Sequence, residues 1–232
     1  MAQPEGSTSL LRPALIGLTA VTGLVDGVSY LGLGHVFTAN MTGNVALLGF
    51  ALAGAPGLSA IGSAGALVSF LAGAVLGGRL VRSSAGVPLS RWTSRAFATE
   101  AALFVGAALT AGLGSAYPMI VLTALAMGLR TVAVRKIGVP DLTTTVLTMT
   151  LAALAADSSL AGGDNRNWRI RAASVAALLA GAAGGALLVR MSVAGALAVC
   201  AVMSGGWAVA ARLGAGASAA PDSPEERGSA TS

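Results

Sequence analysis

The chain has 232 residues, 55% of them hydrophobic and only 10% charged, with a mean hydropathy of +0.79. A soluble domain carries about a quarter charged residues, so a water-soluble globular fold is excluded. The net charge of +5 is no nucleic-acid signal, because the arginines lie mostly between apolar runs, where they set membrane topology.

Residues 1–10 are polar and read as a disordered N-terminus. They lack Lys and Arg, and the first apolar run is broken by Asp26 without a cleavage-like site, so no removable signal peptide is expected. Eight apolar segments follow, at 13–32, 37–53, 60–81, 95–113, 119–134, 142–156, 172–189 and 192–211. Runs of roughly 20 apolar residues are what a helix needs to cross the hydrocarbon core. The fold class is therefore an all-α polytopic membrane protein with its transmembrane domain over 11–213. The tail 214–232 is small, polar and charged, and reads as disordered. One cysteine, Cys200, excludes an intramolecular disulfide and Cys-based metal clusters, and one histidine, His35, excludes His-rich metal sites.

The segments fall into two homologous halves, about 11–114 and 115–213. "LAGAVLGGRLVR" (71–82) and "LAGAAGGALLVR" (179–190) agree at eight of twelve positions. "LGLGHVFTANMTGNVALL" (31–48) overlays "IGVPDLTTTVLTMTLAAL" (137–154) without a gap, setting Gly32 on Gly138, Thr38 on Thr144, Thr42 on Thr148 and Asn44 on Thr150. Upstream, Gly23-Leu24 falls on Gly128-Leu129, so the offset drifts only from about 105 to 108.

Segments two and six are among the shortest, rich in Thr or Asn, and interrupted by Gly32, Gly34 and Gly43 or by Gly138 and Pro140. Paired short or broken segments point to a midplane binding site in repeat transporters. If all eight segments cross, the halves are parallel and the Lys and Arg split eight to six across the membrane. If segments two and six each enter and leave on one side, six crossings remain and the halves are inverted. All Lys and Arg except Arg190, thirteen of fourteen, then fall on the cytoplasmic side, the better match to the positive-inside rule. In this arrangement a half-helix starts near Thr42 or Asn44, capped by Thr or Asn, and a second follows Pro140 and Asp141.

"GLVDGVSYLGLGHVFTANMTGNVALLG" and "GVPDLTTTVLTMTLAALAAD" closely resemble the two hallmark stretches of the YoaK-like family of bacterial inner-membrane proteins, also known as domain of unknown function 1275. The resemblance covers roughly 11–212. It implies a multi-pass protein of the bacterial cytoplasmic membrane and supplies no biochemical activity. The family pattern has glycine after Thr148, where this chain has Met149.

The candidate substrate- or ion-binding residues are Asp26, Thr38, Asn40, Thr42, Asn44, Arg130, Asp141, Thr144, Thr145 and Thr148, with Thr143 and Thr150 in the same polar clusters. Intramembrane acids are expensive and default to functional roles; Asp26 is a coupling-ion or proton site, or the counter-ion of Arg130. Arg130 is alternatively the contact for an anionic substrate. Glu100 reads as interfacial, His35 as a loop residue, and Asp157 and Asp164 with Arg166, Arg169 and Arg171 as a solvated loop. Gly73 and Gly77, like Gly181 and Gly185, give small residues four apart on a helix face, suited to close packing. No phosphate-binding loop, H-E-x-x-H pair or Ser/His/Asp set is present. The expected function is a small secondary transporter or exporter of a small polar or anionic solute, not an enzyme. The alternative is a non-transporting scaffold, lipid-binding or accessory protein. No cofactor, metal or nucleic acid is expected; the partners are the lipid bilayer, the solute and a second copy of the chain.

Overall fold

The computed structural model describes residues 5–84, 86–137, 147–165 and 167–217. It is all-helical among those residues, with α1 (Glu5–Gly32), α2 (Met41–Leu52), α3 (Ala60–Ser83), α4 (Leu89–Thr110), α5 (Tyr117–Ile137), α6 (Leu147–Ala156), α7 (Trp168–Met191) and α8 (Val193–Ala217). The first helix starts at Glu5, inside the stretch expected to be loose, and α8 runs four residues beyond 213.

Five helices, α3, α4, α5, α7 and α8, are long and apolar enough to cross a membrane, and Ile16–Gly32 of α1 adds a shorter apolar run. At about 1.5 Å per residue, α2 spans only about 18 Å and α6 about 15 Å, well short of the roughly 30 Å hydrocarbon core.

Glycine sets the helix pairing. A Cβ on Gly181 would collide with the Ala20 carbonyl and one on Gly185 with the Leu24 carbonyl, so α7 lies directly on α1. In the reverse direction Gly23 faces the Leu178 carbonyl and Gly27 that of Ala182. The α3–α5 pair repeats this seam: Gly73 meets the Leu125 carbonyl, Gly77 the backbone of Leu129, and Gly128 the Phe70 carbonyl. Contact positions rise together along both chains of each pair, so α1 is parallel to α7 and α3 to α5. In lipid no hydrophobic force draws helices together, and such close backbone approach supplies the dispersion energy instead.

Other pairs run oppositely. Gly17 faces Trp207 and Gly32 faces Val193, so α1 is antiparallel to α8. Glu100 bonds Ser204 and Phe97 clusters with Ala208, which makes α4 antiparallel to α8. Lys136 lies over the Trp92 ring while Arg130 bonds Glu100, which makes α4 antiparallel to α5. It follows that α1 and α4 point the same way and α5 the opposite way. The core where these four helices meet includes Val21, Val25, Phe104, Ala124, Leu197 and Cys200.

Candidate functional site

The polar stretch after α1 folds back along the helix it has just left. Gly34 and His35 take left-handed conformations (φ 93° and 58°), and the His35 amide donates to the Tyr30 carbonyl at 3.0 Å. This closes the helix with a reversal. The Thr38 amide then donates to Ser29 Oγ at 3.2 Å. The Ala39 and Asn40 amides both donate to Asp26 Oδ1, at 2.9 and 3.2 Å. Asp26 lies six residues before the end of α1, so α2 begins about 9 Å inside that end.

The polar residues of this stretch have separate tasks. Asn40 is the N-cap of α2, its side chain accepting from the Gly43 amide at 3.1 Å. Asn44 is fully buried; its Oδ1 accepts from the Phe37 amide at 2.9 Å and its Nδ2 donates to the Phe37 carbonyl. It thus supplies the main-chain pairing that this irregular segment lacks. Phe37 is stacked on Tyr30 at 4.8 Å and rests on Gly43, where a Cβ would strike its ring. Thr38 is 0% exposed, and its hydroxyl has no hydrogen-bond partner among the described residues. Asn40 and Thr42 are exposed, as is His35, which sits in the loop as expected.

A second cluster lies deeper, where α1, α4, α5 and α8 meet. Arg130 is 1% exposed and Glu100 0%. The Arg130 Nε donates to Glu100 Oε2 at 3.2 Å, and Nη2 stands 3.0 Å from Oε1 as an ion-pair contact without hydrogen-bond geometry. Nη1 reaches the Leu18 carbonyl and Thr22 Oγ1, both at 3.4 Å, and Ser204 donates its hydroxyl to Glu100 Oε1 at 3.0 Å.

This corrects two expectations. Arg130 is paired with Glu100, not with Asp26: in antiparallel α1 and α5, Thr22 opposite Arg130 puts Asp26 a turn further along. Glu100 is not interfacial, because α4 begins at Leu89, six residues earlier than the apolar run at 95. The first turns of α4 are amphipathic, burying Trp92, Thr93 and Ser94 between exposed Arg91 and Arg95, and hydropathy alone passes over them.

Of the remaining candidates, Thr148 is exposed on α6, and Asp141, Thr144 and Thr145, like Thr143, lie outside the described residues. Arg171 is not solvated; it is buried, donating to Asp157 Oδ2 at 2.6 Å and to the Ala153 carbonyl at 2.9 Å. It closes the end of α6 onto α7.

The two clusters share α1. Thr22, Asp26 and Ser29 stand at i, i+4 and i+7, on one helix face, and link the Arg130–Glu100 pair to the folded-back stretch. Asp26→Leu should strip the amides of buried Ala39 and of Asn40 of a charged acceptor and destabilise the protein by about 3 kcal/mol. Asp26→Asn keeps an oxygen in place and should lose less than half as much, as read by thermal unfolding in detergent.

A family described as "Protein of unknown function (DUF1275)" matches residues 14–210, which spans the bundle from α1 to α8. The chain belongs to this family. The UPF0700 transmembrane protein YoaK of Bacillus subtilis (strain 168) is 38% identical over 152 residues, covering 64% of this chain and 68% of the relative. No solved structure matches. The resemblance carried by the two polar stretches therefore holds, and the protein is an integral, multi-pass membrane protein.

Proposed function

We propose that the protein is a small secondary transporter or exporter of the bacterial cytoplasmic membrane, with six crossings, two inverted halves and a site for a small polar or anionic solute between them. The observation that carries this reading is the continuous polar face of α1, Thr22–Asp26–Ser29, joining a buried ion pair to the start of a half-helix. Hydrocarbon tolerates such groups where they line a path or cavity.

Helix directions support the topology. With α1 and α4 pointing one way and α3 and α5 the other, α2 enters and leaves on a single side. With α5 and α7 opposed, α6 does the same on the other side. Arg79, Arg82, Arg91, Arg95, Arg135, Lys136, Arg169 and Arg212 then share one face, and Arg190 stands opposite. Arg130, paired inside the core, drops out of that count. The glycine seams support the duplication: Gly73, Phe70 and Leu125 recur as Gly181, Leu178 and Ala20, at offsets of 108 and 105 residues.

The fully engaged Asn44 favours the second reading, a non-transporting membrane protein whose polar residues fasten helices. Cysteine accessibility separates the two. On a Cys200→Ala background, Pro56→Cys should label from outside and Leu160→Cys from inside with an impermeant thiol reagent. Leu160 is 99% exposed, whereas a side chain at neighbouring Gly163 would strike the Asp157 carbonyl. Labelling of both from one side overturns the inverted topology. Failure of Asn40→Cys and Thr148→Cys to label from either side makes the polar cluster a fastening and removes the transporter reading.

A further inference from the structure

We infer that Glu100 and Arg130 form a proton-gated anion site: Glu100 takes up a proton, and Arg130 then holds one small carboxylate in its place. The inference rests on the transporter reading for its purpose and names the solute class and coupling ion at the same cluster.

The pair is incompletely matched. A guanidinium offers five donors in a planar fork suited to bidentate carboxylate, yet only Nε makes a well-formed bond to Glu100. Nη2 is close to Oε1 but misaligned, and both contacts of Nη1 are long at 3.4 Å. The cation is thus held by an internal carboxylate that leaves part of its fork unused.

Only one partner can change charge. Arginine keeps its proton in proteins, so neutralisation of the pair must occur on Glu100. The groups facing the pair are the Leu18 carbonyl and Thr22 hydroxyl of α1 and Cys200 and Ser204 of α8. Ser204 suits both states of Glu100. Its hydroxyl donates to the carboxylate now, and after rotation it accepts from the O–H of the neutral acid. The neutral acid therefore remains satisfied, whereas Arg130 keeps a neutral Oε2 acceptor and the two long contacts to α1 but loses its counter-charge.

The charge balance follows. The resting pair sums to zero; one proton from solution on Glu100 leaves Arg130 as an unpaired buried cation; one monovalent carboxylate restores neutrality. An unpaired buried charge is strongly unfavourable, so proton and anion enter together, one of each, without net charge. Arg130 lies seven residues from the end of α5, about 10 Å along the helix axis, beside the basic Arg135 and Lys136, which favours approach of the anion from that side.

The test uses the purified full chain in detergent, weakly buffered, with sodium acetate as probe. Wild type should bind acetate with uptake of one proton per acetate, read by a pH indicator. Glu100→Gln should bind acetate about tenfold more tightly at neutral pH, with no proton uptake and with its unfolding temperature raised by added acetate, and Arg130→Gln should not bind it. Acetate binding by wild type without proton uptake, or no acetate binding at all, overturns the inference. Should Glu100→Gln fail to fold even in acetate, the wild-type proton count decides alone. Flux assays in proteoliposomes keep the two readings apart: coupled binding without flux sinks transport and leaves this site, and flux without coupled binding does the reverse.

Discussion

Arg130→Met should be among the most damaging single substitutions in the bundle, lowering stability by about 3–5 kcal/mol. It leaves Glu100 buried at 0% exposure with only Ser204 as partner. Glu100→Leu should cost as much or more, because the stranded guanidinium cannot shed its charge whereas a carboxylate can take up a proton. The double variant Glu100→Leu/Arg130→Met should recover most of the loss. Buried ion pairs repay their desolvation only barely, and apolar replacements of similar volume are often as stable. The flanking hydroxyls remain satisfied in the double variant, since Thr22 already bonds the Leu18 carbonyl at 3.0 Å and Ser204 can turn to its own helix. Thermal unfolding of the purified variants gives the coupling energy of the cycle directly. If the double variant is as unstable as either single one, the pair is not the unit described above.

The helices were largely legible in the sequence because membrane helices declare themselves by long apolar runs, and segments two and six stood out by their polar content. The helix start expected near Thr42 or Asn44 falls at Met41, capped by Asn40, since cap chemistry is local and written in side chains. The partnership of Arg130 was not legible. It depends on the antiparallel register of α4 and α5, which no hydropathy profile encodes, and on a start to α4 concealed by its amphipathic first turns. The role of Asp26 was hidden for another reason: its partners are backbone amides 13 and 14 residues away, and amides have no sequence signature.

The departure at Met149 gains a physical account from Gly43. Phe37 lies on Gly43, and the residues aligned with this pair in the second half are Thr143 and Met149. The aligned pair in the sequence carries no aromatic ring, and Met149 is 65% exposed on α6. In the sequence alignment two of the anchoring residues are not carried across. Asn40 corresponds to Val146, and Asp26 to Thr131, whose hydroxyl bonds its own helix at the Met127 carbonyl, 2.9 Å away. The two aligned stretches therefore differ in their polar residues: the first carries Asp26 and Asn40 where the second has Thr131 and Val146, and the acid of the second, Asp141, stands at the place of His35.

Gly73→Leu and Gly181→Leu should each disrupt assembly, and to a similar degree. At both positions a Cβ would strike a carbonyl of the facing helix, Leu125 in one case and Ala20 in the other, so no rotamer relieves the clash and the backbones must separate. Overpacking costs about 1–3 kcal/mol when side chains can yield; here the loss should reach the top of that range or exceed it. Gly184→Leu is the control, with open space around the added Cβ. Alanine at Gly184 should be neutral or gain up to about 1 kcal/mol, from better helix propensity. Fluorescence-detected size-exclusion of heated samples ranks the four proteins. Equal losses at Gly73 and Gly181 are the expected result if the α3–α5 and α1–α7 seams are copies of one interface, because each glycine occupies the same place in its copy. A large loss at one and none at the other would mean that the seams carry different loads, and the duplication would then describe the sequence without describing the energetics.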